Sequence, residues 1–259
     1  MRTSAWTPVG VCRVLEEDAE LAEGLPDALR ERAARECICR CVTIRTGHWA
    51  GTPLGAPGEG IGLLVLQGLL VRRVGVDARF GAELLGEGDL LRPWQAEEEI
   101  QNSTVSLAAA WHVLEPTRLA VLDEAFATRL GRYPQLTGRL VGRALRRSRD
   151  LALNMAIVHQ ARVDVRVHML LWHLAARWGR VSRDGIVLSL HLTHEVLADL
   201  VAARRPTVTS ALSALAKKGL IVSVDRGWVL CGEPPSELFE LEPLQTGLTA
   251  EAATRSRAV

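Results

Sequence analysis

The stretch LTHEVLADLVAARRPTVTSALSALAKKGLI, residues 192–221, constrains this chain more than any other. Thr193 is an N-cap residue type, and Val196, Leu197, Leu200 and Val201 fall on one side of a short helix from His194 to Val201. Ala198 keeps a crossing point on that helix small. Ala202 to Arg205 read as a four-residue turn. Pro206 then suits the first position of a second helix, where a missing N–H costs nothing, and this helix runs to Lys218 and stops at Gly219. On it Val208, Ala211, Leu212 and Leu215 share one side, while Pro206, Thr209, Ser210, Ser213 and Lys217 share the other. One face packs and the other is left for a partner.

What flanks the two helices makes the pattern specific. Ile186 to Leu190 read as a short strand before them. After them, Ile221 to Val224, the turn Asp225-Arg226-Gly227, and Trp228 to Leu230 read as a β-hairpin. Strand, helix, turn, helix, hairpin is the order of a winged helix-turn-helix, here spanning 164–232. A helix of this size fits the major groove of double-stranded DNA with its first turn nearest the base edges. Arg205 is therefore the candidate base reader, with Pro206, Thr209 and Ser210 beside it. Arg204, Thr207 and Lys217, and Arg226 at the hairpin tip, suit phosphates.

Total charge says little, at +1, but its distribution is uneven. Glu16, Glu17, Asp18, Glu20 and Glu23 gather early. Between Arg129 and Arg149 stand seven arginines and no acidic residue, and residues 166–232 hold nine Lys or Arg against four Asp or Glu. A basic second half suits a polyanion, and a solvated helix face gives the same run.

From Cys37 to Leu122 short apolar stretches (CICRCVTIR, IGLLVLQGLLVRRV, LLGEGDLL, VSLAAAWHVL, TRLAVLD) alternate with glycine-rich punctuation, the pattern of a β sandwich or barrel. Beyond Asp123 the period turns helical. Leu136, Leu140, Leu151, Met155 and Val158 form an apolar stripe on a helix from Pro134 to Arg162, too long to serve one domain, so its stripe is expected to meet a second copy. Asp164 is placed to cap the next helix, which carries Val167, Leu170, Leu171 and Leu174 and ends at Gly179. The expected fold class is α+β: a β domain over 1–133, a dimerisation helix over 134–163, the winged helix-turn-helix over 164–232, and a tail over 233–259.

Other residues are read against plainer accounts. Cys37, Cys39 and Cys41 alternate along a predicted strand, and Cys12 could join them. Their spacing matches no zinc or iron–sulfur pattern, so burial is the expectation, with a redox or metal role as the rival. Trp49, Trp94 and Trp111 read as core aromatics before pocket lining. His48 and His112 are isolated in sequence, and His159, His168 and His173 read as interface or surface residues. No cofactor or metal is expected, no motif of an enzyme is present, and no apolar run reaches membrane-spanning length. With no secretory signal, a cytoplasmic location is expected.

These residues resemble the bacterial Crp/Fnr regulators, the family of the cyclic-AMP receptor protein and the fumarate and nitrate reduction regulator. The segment 192–221 is similar to the family's helix-turn-helix, RVHMLLWHLA (166–175) to the helix after its hinge, and LLVLQGLLVRRV and LLGEGDLL to strands of its cyclic-nucleotide-binding-like β-roll. The resemblance implies a homodimeric transcription regulator acting on a palindromic operator, with RNA polymerase and a small-molecule effector as further candidate partners. One departure matters. Gly88-Asp89 continues into Leu90-Leu91-Arg92-Pro93-Trp94, with proline where the family's nucleotide binders keep a carboxylate, and Ser106-Leu107-Ala108-Ala109 stands in place of the phosphate-binding Arg-Ser or Arg-Thr pair. A cyclic phosphate without a cationic partner is costly to desolvate, so control by cyclic AMP is not expected. The rival readings are a constitutive or architectural DNA-binding protein without effector, and a cysteine-based redox- or metal-sensing regulator.

Overall fold

The structure is a computed structural model that describes residues 6–50, 60–76, 79–93 and 108–238. They fall into two compact units, Met1–His159 with Leu192–Arg205, and Gln160–His191 with Pro206–Val259. Trp94, Ser106, Leu107 and the tail beyond residue 238 lie outside the described residues.

In the first unit the strands are β1 (Trp6–Arg13), β2 (Ile38–Ile44), β3 (Gly47–Trp49), β4 (Gly62–Val76), β5 (Arg79–Gly86), β6 (Leu90–Leu91) and β7 (Ala108–Leu122). They form one antiparallel sheet in the order β1-β2-β7-β4-β5, with β3 on β7 and β6 on β4. The runs VSLAAAWHVL and TRLAVLD, read separately in the sequence, merge from Ala108 into the single strand β7. The two-residue period of a strand sends alternate side chains to opposite faces. Val42, Ile44, Leu63, Val65, Leu119 and Val121 enter one core with Trp49 and Trp111, while Cys39, Cys41, Leu64, Leu66, Ala120 and Leu122 enter a second core under helices. Sheet residues such as Leu63 to Leu66 are thus buried on both faces, which is why they read as an unbroken apolar run. At Gly68 in β4 φ is +103° and a Cβ would meet Thr117 Cα at 2.6 Å, so glycine sits there because β4 and β7 approach closely across a bulge.

The helices of this unit are α1 (Val14–Glu17), α2 (Ala19–Ala22), α3 (Asp27–Glu36), α4 (Glu124–Leu130) and α5 (Pro134–Val158). The first three lie in the acidic N-terminal region, where the sequence reading placed none. Asp123 caps α4 by accepting from Phe126 N at 2.9 Å, and Pro134 opens α5 as expected.

The long helix α5 stops at Val158 and not Arg162, and its apolar residues divide between two faces. Leu136 and Leu140 are buried in the core of their unit and Ile157 is buried too, whereas Val141, Leu145, Leu151 and Met155 are 53%, 60%, 38% and 63% exposed. The expected stripe mixed the two sets, because heptad spacing alone does not tell which side a β domain already occupies. The face toward the β domain is held by arginines. Buried Arg143 donates through Nη2 to Asp18 Oδ1 at 2.8 Å, forms a second bond through Nη1 to Asp18 Oδ2, and reaches Glu20 at 3.1 Å. Arg146 donates to Glu20 at 3.1 Å. Arg147 clasps Glu83 at 2.6 and 3.0 Å and donates to the Leu90 carbonyl at 2.8 Å. The Arg129–Arg149 run is therefore largely spent on the early acidic cluster and the β domain, and does not form a DNA-facing surface of its own.

Removing one member of a buried pair strands the other charge. Arg143→Ala should destabilise the chain by about 3–5 kcal/mol, read as a lower denaturant midpoint, with Arg143→Lys falling between the two.

Candidate nucleic-acid interface

The first helix of the candidate motif, α7 (His194–Leu200), is capped by Thr193, whose Oγ1 accepts from Val196 N at 3.2 Å. Val196, Leu197, Ala198 and Leu200 are buried. The turn is Val201–Arg204, one residue earlier than expected. It is closed by N–H groups of Val201 and Ala203 donating to the carbonyls of Leu197 and Ala198, with Ala202 at φ +49°. The second helix, α8 (Arg205–Lys217), buries Val208, Ala211, Leu212 and Leu215, the four residues the periodicity assigned inward.

All eight predicted contact residues are exposed: Arg204, Arg205, Pro206, Thr207, Thr209, Ser210, Lys217 and Arg226. Arg204 to Thr207 surround the N-terminus of α8, where the helix dipole favours an anion such as phosphate. Two hydroxyls on the outer face are engaged within the helix. Ser210 Oγ donates to the Pro206 carbonyl at 3.2 Å and Ser213 Oγ to that of Thr209 at 3.0 Å. Each hydroxyl, its proton committed to the helix, keeps only acceptor capacity for a further partner. Sequence position alone could not show this.

In the second unit, α6 (Val163–Trp178) begins one residue before Asp164. Asp164 is not the cap: it lies in the first turn, ion-paired with Arg162 and, at 3.7 Å, with Lys218. Gly179 ends α6 as expected. It also opens a strand the sequence reading missed, β8 (Gly179–Ser182), paired with β9 (Gly185–Leu188). The hairpin is β10 (Ile221–Val224) and β11 (Gly227–Leu230), and all four strands form one sheet ordered β10-β11-β9-β8. Gly227, at φ +133°, would place a Cβ 2.0 Å from the Leu188 carbonyl, so only glycine lets the wing return this close to β9. The β8–β9 hairpin adds exposed Arg180 and Arg183 to this sheet, residues with no periodic signal to mark them.

The remaining candidates resolve as follows. Cys12, Cys37, Cys39 and Cys41 are buried thiols, as expected, though Cys37 closes α3 instead of lying on the strand. No group of three or more His, Cys, Asp or Glu able to hold a metal occurs among the described residues. Trp49 and Trp111 are core residues, register partners with ring centroids 5.6 Å apart. His48 and His112, far apart in sequence, are also register partners, on β3 and β7. An apolar cavity lined by Val14, Leu15, Leu122, Phe126, Leu136 and Leu140 has a volume near 10 Å³, room for one water at most. His168 is buried, contrary to the surface or interface reading. Its Nε2 accepts from Trp172 Nε1 at 3.1 Å, and burial holds its pKa below the usual histidine range.

A helix, turn and helix followed by a β wing, with a basic N-terminal patch, define a winged helix-turn-helix DNA-binding protein. Residues 165–232 match the Crp-like helix-turn-helix domain. Over 168 residues, 64% of this chain and 73% of the relative, the sequence is 26% identical to a CRP-like cAMP-activated global transcriptional regulator of Mycobacterium tuberculosis. In fold the chain is similar to a CooA mutant from Carboxydothermus hydrogenoformans, with a TM-score of 0.60, 18% identity, and coverage of 90% of this chain and 96% of that one. It is also similar to a cyclic nucleotide-binding domain containing protein from Listeria monocytogenes, at a TM-score of 0.59, 14% identity, and coverage of 73% and 87%. Residues 165–232 carry a Crp-like DNA-binding helix-turn-helix, and the chain is similar to Crp/Fnr-type transcription regulators in sequence and in its cyclic-nucleotide-binding-like fold. Among the described residues no helix is long and apolar enough to cross a membrane.

His168 gives this unit a pH dependence. Nearby Glu237 and Asp164 favour its protonation and Lys218 opposes it, but burial dominates, so the folded state favours the neutral ring. Its contribution is complete above the unfolded pKa of about 6.5 and is lost as pH falls toward the lower folded value. Thermal unfolding monitored by tryptophan fluorescence should show the midpoint dropping below about pH 6.5. His168→Gln, which keeps an acceptor for Trp172, should flatten that drop.

Proposed function

We propose that the protein is a homodimeric, sequence-specific transcription regulator that reads a two-fold-symmetric operator through the first turn of α8 and is not controlled by cyclic AMP. The observation that carries the reading is α8 itself, buried on one face and exposed at every predicted contact residue on the other. Arg205, with Pro206, Thr209 and Ser210, reads base edges. Arg204, Thr207, Lys217 and Arg226 position phosphates. The functional division that goes with it is 1–133 as sensor, 134–163 as dimerisation helix, 164–232 as DNA reader and 233–259 as tail.

The dimer reading rests on the free side of α5. Val141, Ser148 and Met155 recur every seven residues, with Ala144, Leu151 and Val158 between them, the spacing of a coiled-coil seam. At 25 residues the helix is about 37 Å long, enough to carry such a seam. Two subunits joined along it place two reading helices on one palindrome, with half-sites about 34 Å apart. In this reading the bound dimer meets RNA polymerase in the cytoplasm, and an effector of the β domain acts only through its differential affinity for two arrangements of the chain.

Independence from cyclic AMP rests on how the Gly88–Leu90 turn is used. Asp89 Oδ2 accepts from Gly86 N at 2.8 Å, Arg143 reaches the Gly88 carbonyl at 3.5 Å while bonded to Asp18, and Arg147 is bonded to Glu83 and to the Leu90 carbonyl. Neither arginine is offered to a phosphate.

Operator fragments selected from random DNA and titrated by fluorescence anisotropy test the reading. Arg205→Ala should weaken cognate binding and relax one base position by about 1–3 kcal/mol. Lys217→Ala should lower affinity evenly across sequences and reduce the salt slope. Cyclic AMP should leave both curves unchanged, and wild-type affinity for both variants would overturn the assignment. Independently, Leu151→Arg with Met155→Arg should convert a dimer to monomer in sedimentation velocity while leaving the folded content unchanged. A dimer that persists through both substitutions would remove α5 as the seam.

A further inference from the structure

Cys12 on β1 and Cys39 on β2 are register partners in the antiparallel pair, and their Sγ atoms lie 3.6 Å apart. A cross-strand pair at this distance is a hydrogen-bonded dithiol within reach of a bond. Disulfide sulfurs sit about 2 Å apart, so closure asks for a shift of order 1.5 Å, shared by two side chains and an edge strand. β1 is that edge, last in its sheet, and an edge strand opens locally at lower cost than a central one. We propose that Cys12 and Cys39 form a peroxide-responsive thiol–disulfide site, with Cys12 as the attacking sulfur and Cys39 as the resolving one.

The division of roles follows from the surroundings. With Cys39 as the donor of the Sγ–Sγ hydrogen bond, the Cys12 pKa comes down to about 7 against the opposing effect of burial. The same bond and burial push Cys39 upward, so it keeps its proton. A bond to Cys41 lowers Cys12 further, while Arg118, which bonds Cys41 Sγ at 3.6 Å, is clasped to Glu17 at 2.8 and 2.9 Å, and the two charges of that pair act on Cys12 in opposite directions. Cys37 is held up near 11 by burial and takes no part.

The Cys12 thiolate attacks one oxygen of hydrogen peroxide: the S–O bond forms, the O–O bond breaks, and the leaving hydroxide combines with the proton that Cys12 released on ionising to give water. The Cys39 thiol then attacks the sulfenic sulfur, the S–S bond forms, and the displaced hydroxyl leaves as water with the Cys39 proton. Two thiols are oxidised, one peroxide is reduced, and two waters result. A dithiol reductant reverses the bond by exchange. Closure is felt beyond the pair, because β1 runs directly into α1, and the residue after α1 is Asp18, the partner of Arg143.

The test uses the full-length chain, reduced, freed of reductant, exposed to hydrogen peroxide, quenched with a thiol alkylator and mapped by mass spectrometry without reduction. The expected result is a Cys12–Cys39 linked peptide, two of the five thiols lost, and full recovery after dithiothreitol. The rate should climb as pH rises through about 7. Cys39→Ser should instead leave Cys12 as a sulfenic acid trapped by dimedone. Folded wild-type protein in which Cys12 and Cys39 stay alkylatable, or in which the linkage joins another pair such as Cys12 and Cys41, overturns the proposal. The wild-type map decides even if the serine variant does not fold.

Discussion

Arg143 is the constraint on which the first unit turns. A guanidinium 6% exposed, held in a pincer by a carboxylate 7% exposed, is costly to desolvate and worth keeping only when its geometry is complete. Here both oxygens of Asp18 are used, and Asp18 also caps α2 by accepting from Leu21 N at 3.4 Å. One carboxylate therefore fixes the start of a short helix and the rotation of a long one. With Arg139, Arg146 and Arg147 beside it on carbonyls and carboxylates of the same unit, α5 has its β-facing side decided by charge. Its apolar far side, with Val141, Leu145, Leu151 and Met155, is left exposed.

That arrangement also explains the charge asymmetry of the chain. Acid near the N-terminus and base near the middle are two halves of an internal contact, separated by more than a hundred residues and joined by the return of the chain after β7. A smaller exposed basic patch lies later, at the N-terminus of α8 and on the hairpins. There the arginines flank a helix dipole instead of neutralising buried acids.

Legibility followed the range of the interactions. The two helices of the DNA-reading motif, the wing and the inward face of α8 were readable because capping, the 3.6-residue period and turn glycines act within a few residues. The strands of the β domain were readable for the same reason, though not the fusion of two runs into β7. Helices α1 to α3 were missed because their short, charged sequences have little apolar period. They are helical because Asp18, Glu20 and Glu36 are used by Arg143, Arg146 and Tyr133 from across the unit. The burial of His168 was equally unreadable, since a histidine four residues before a tryptophan becomes its acceptor only once the helix face is chosen.

The sequence by itself determined the winged helix-turn-helix and the alternation that builds the β sheet. Tertiary structure decided which face of α5 is free, which arginines are consumed, and that Cys12 stands opposite Cys39. The physical reason is separation along the chain. Local patterns are set by backbone geometry within a turn or a strand, whereas pairing between residues 12 and 39, or 18 and 143, exists only after the sheet has chosen its register and the long helix has docked on it.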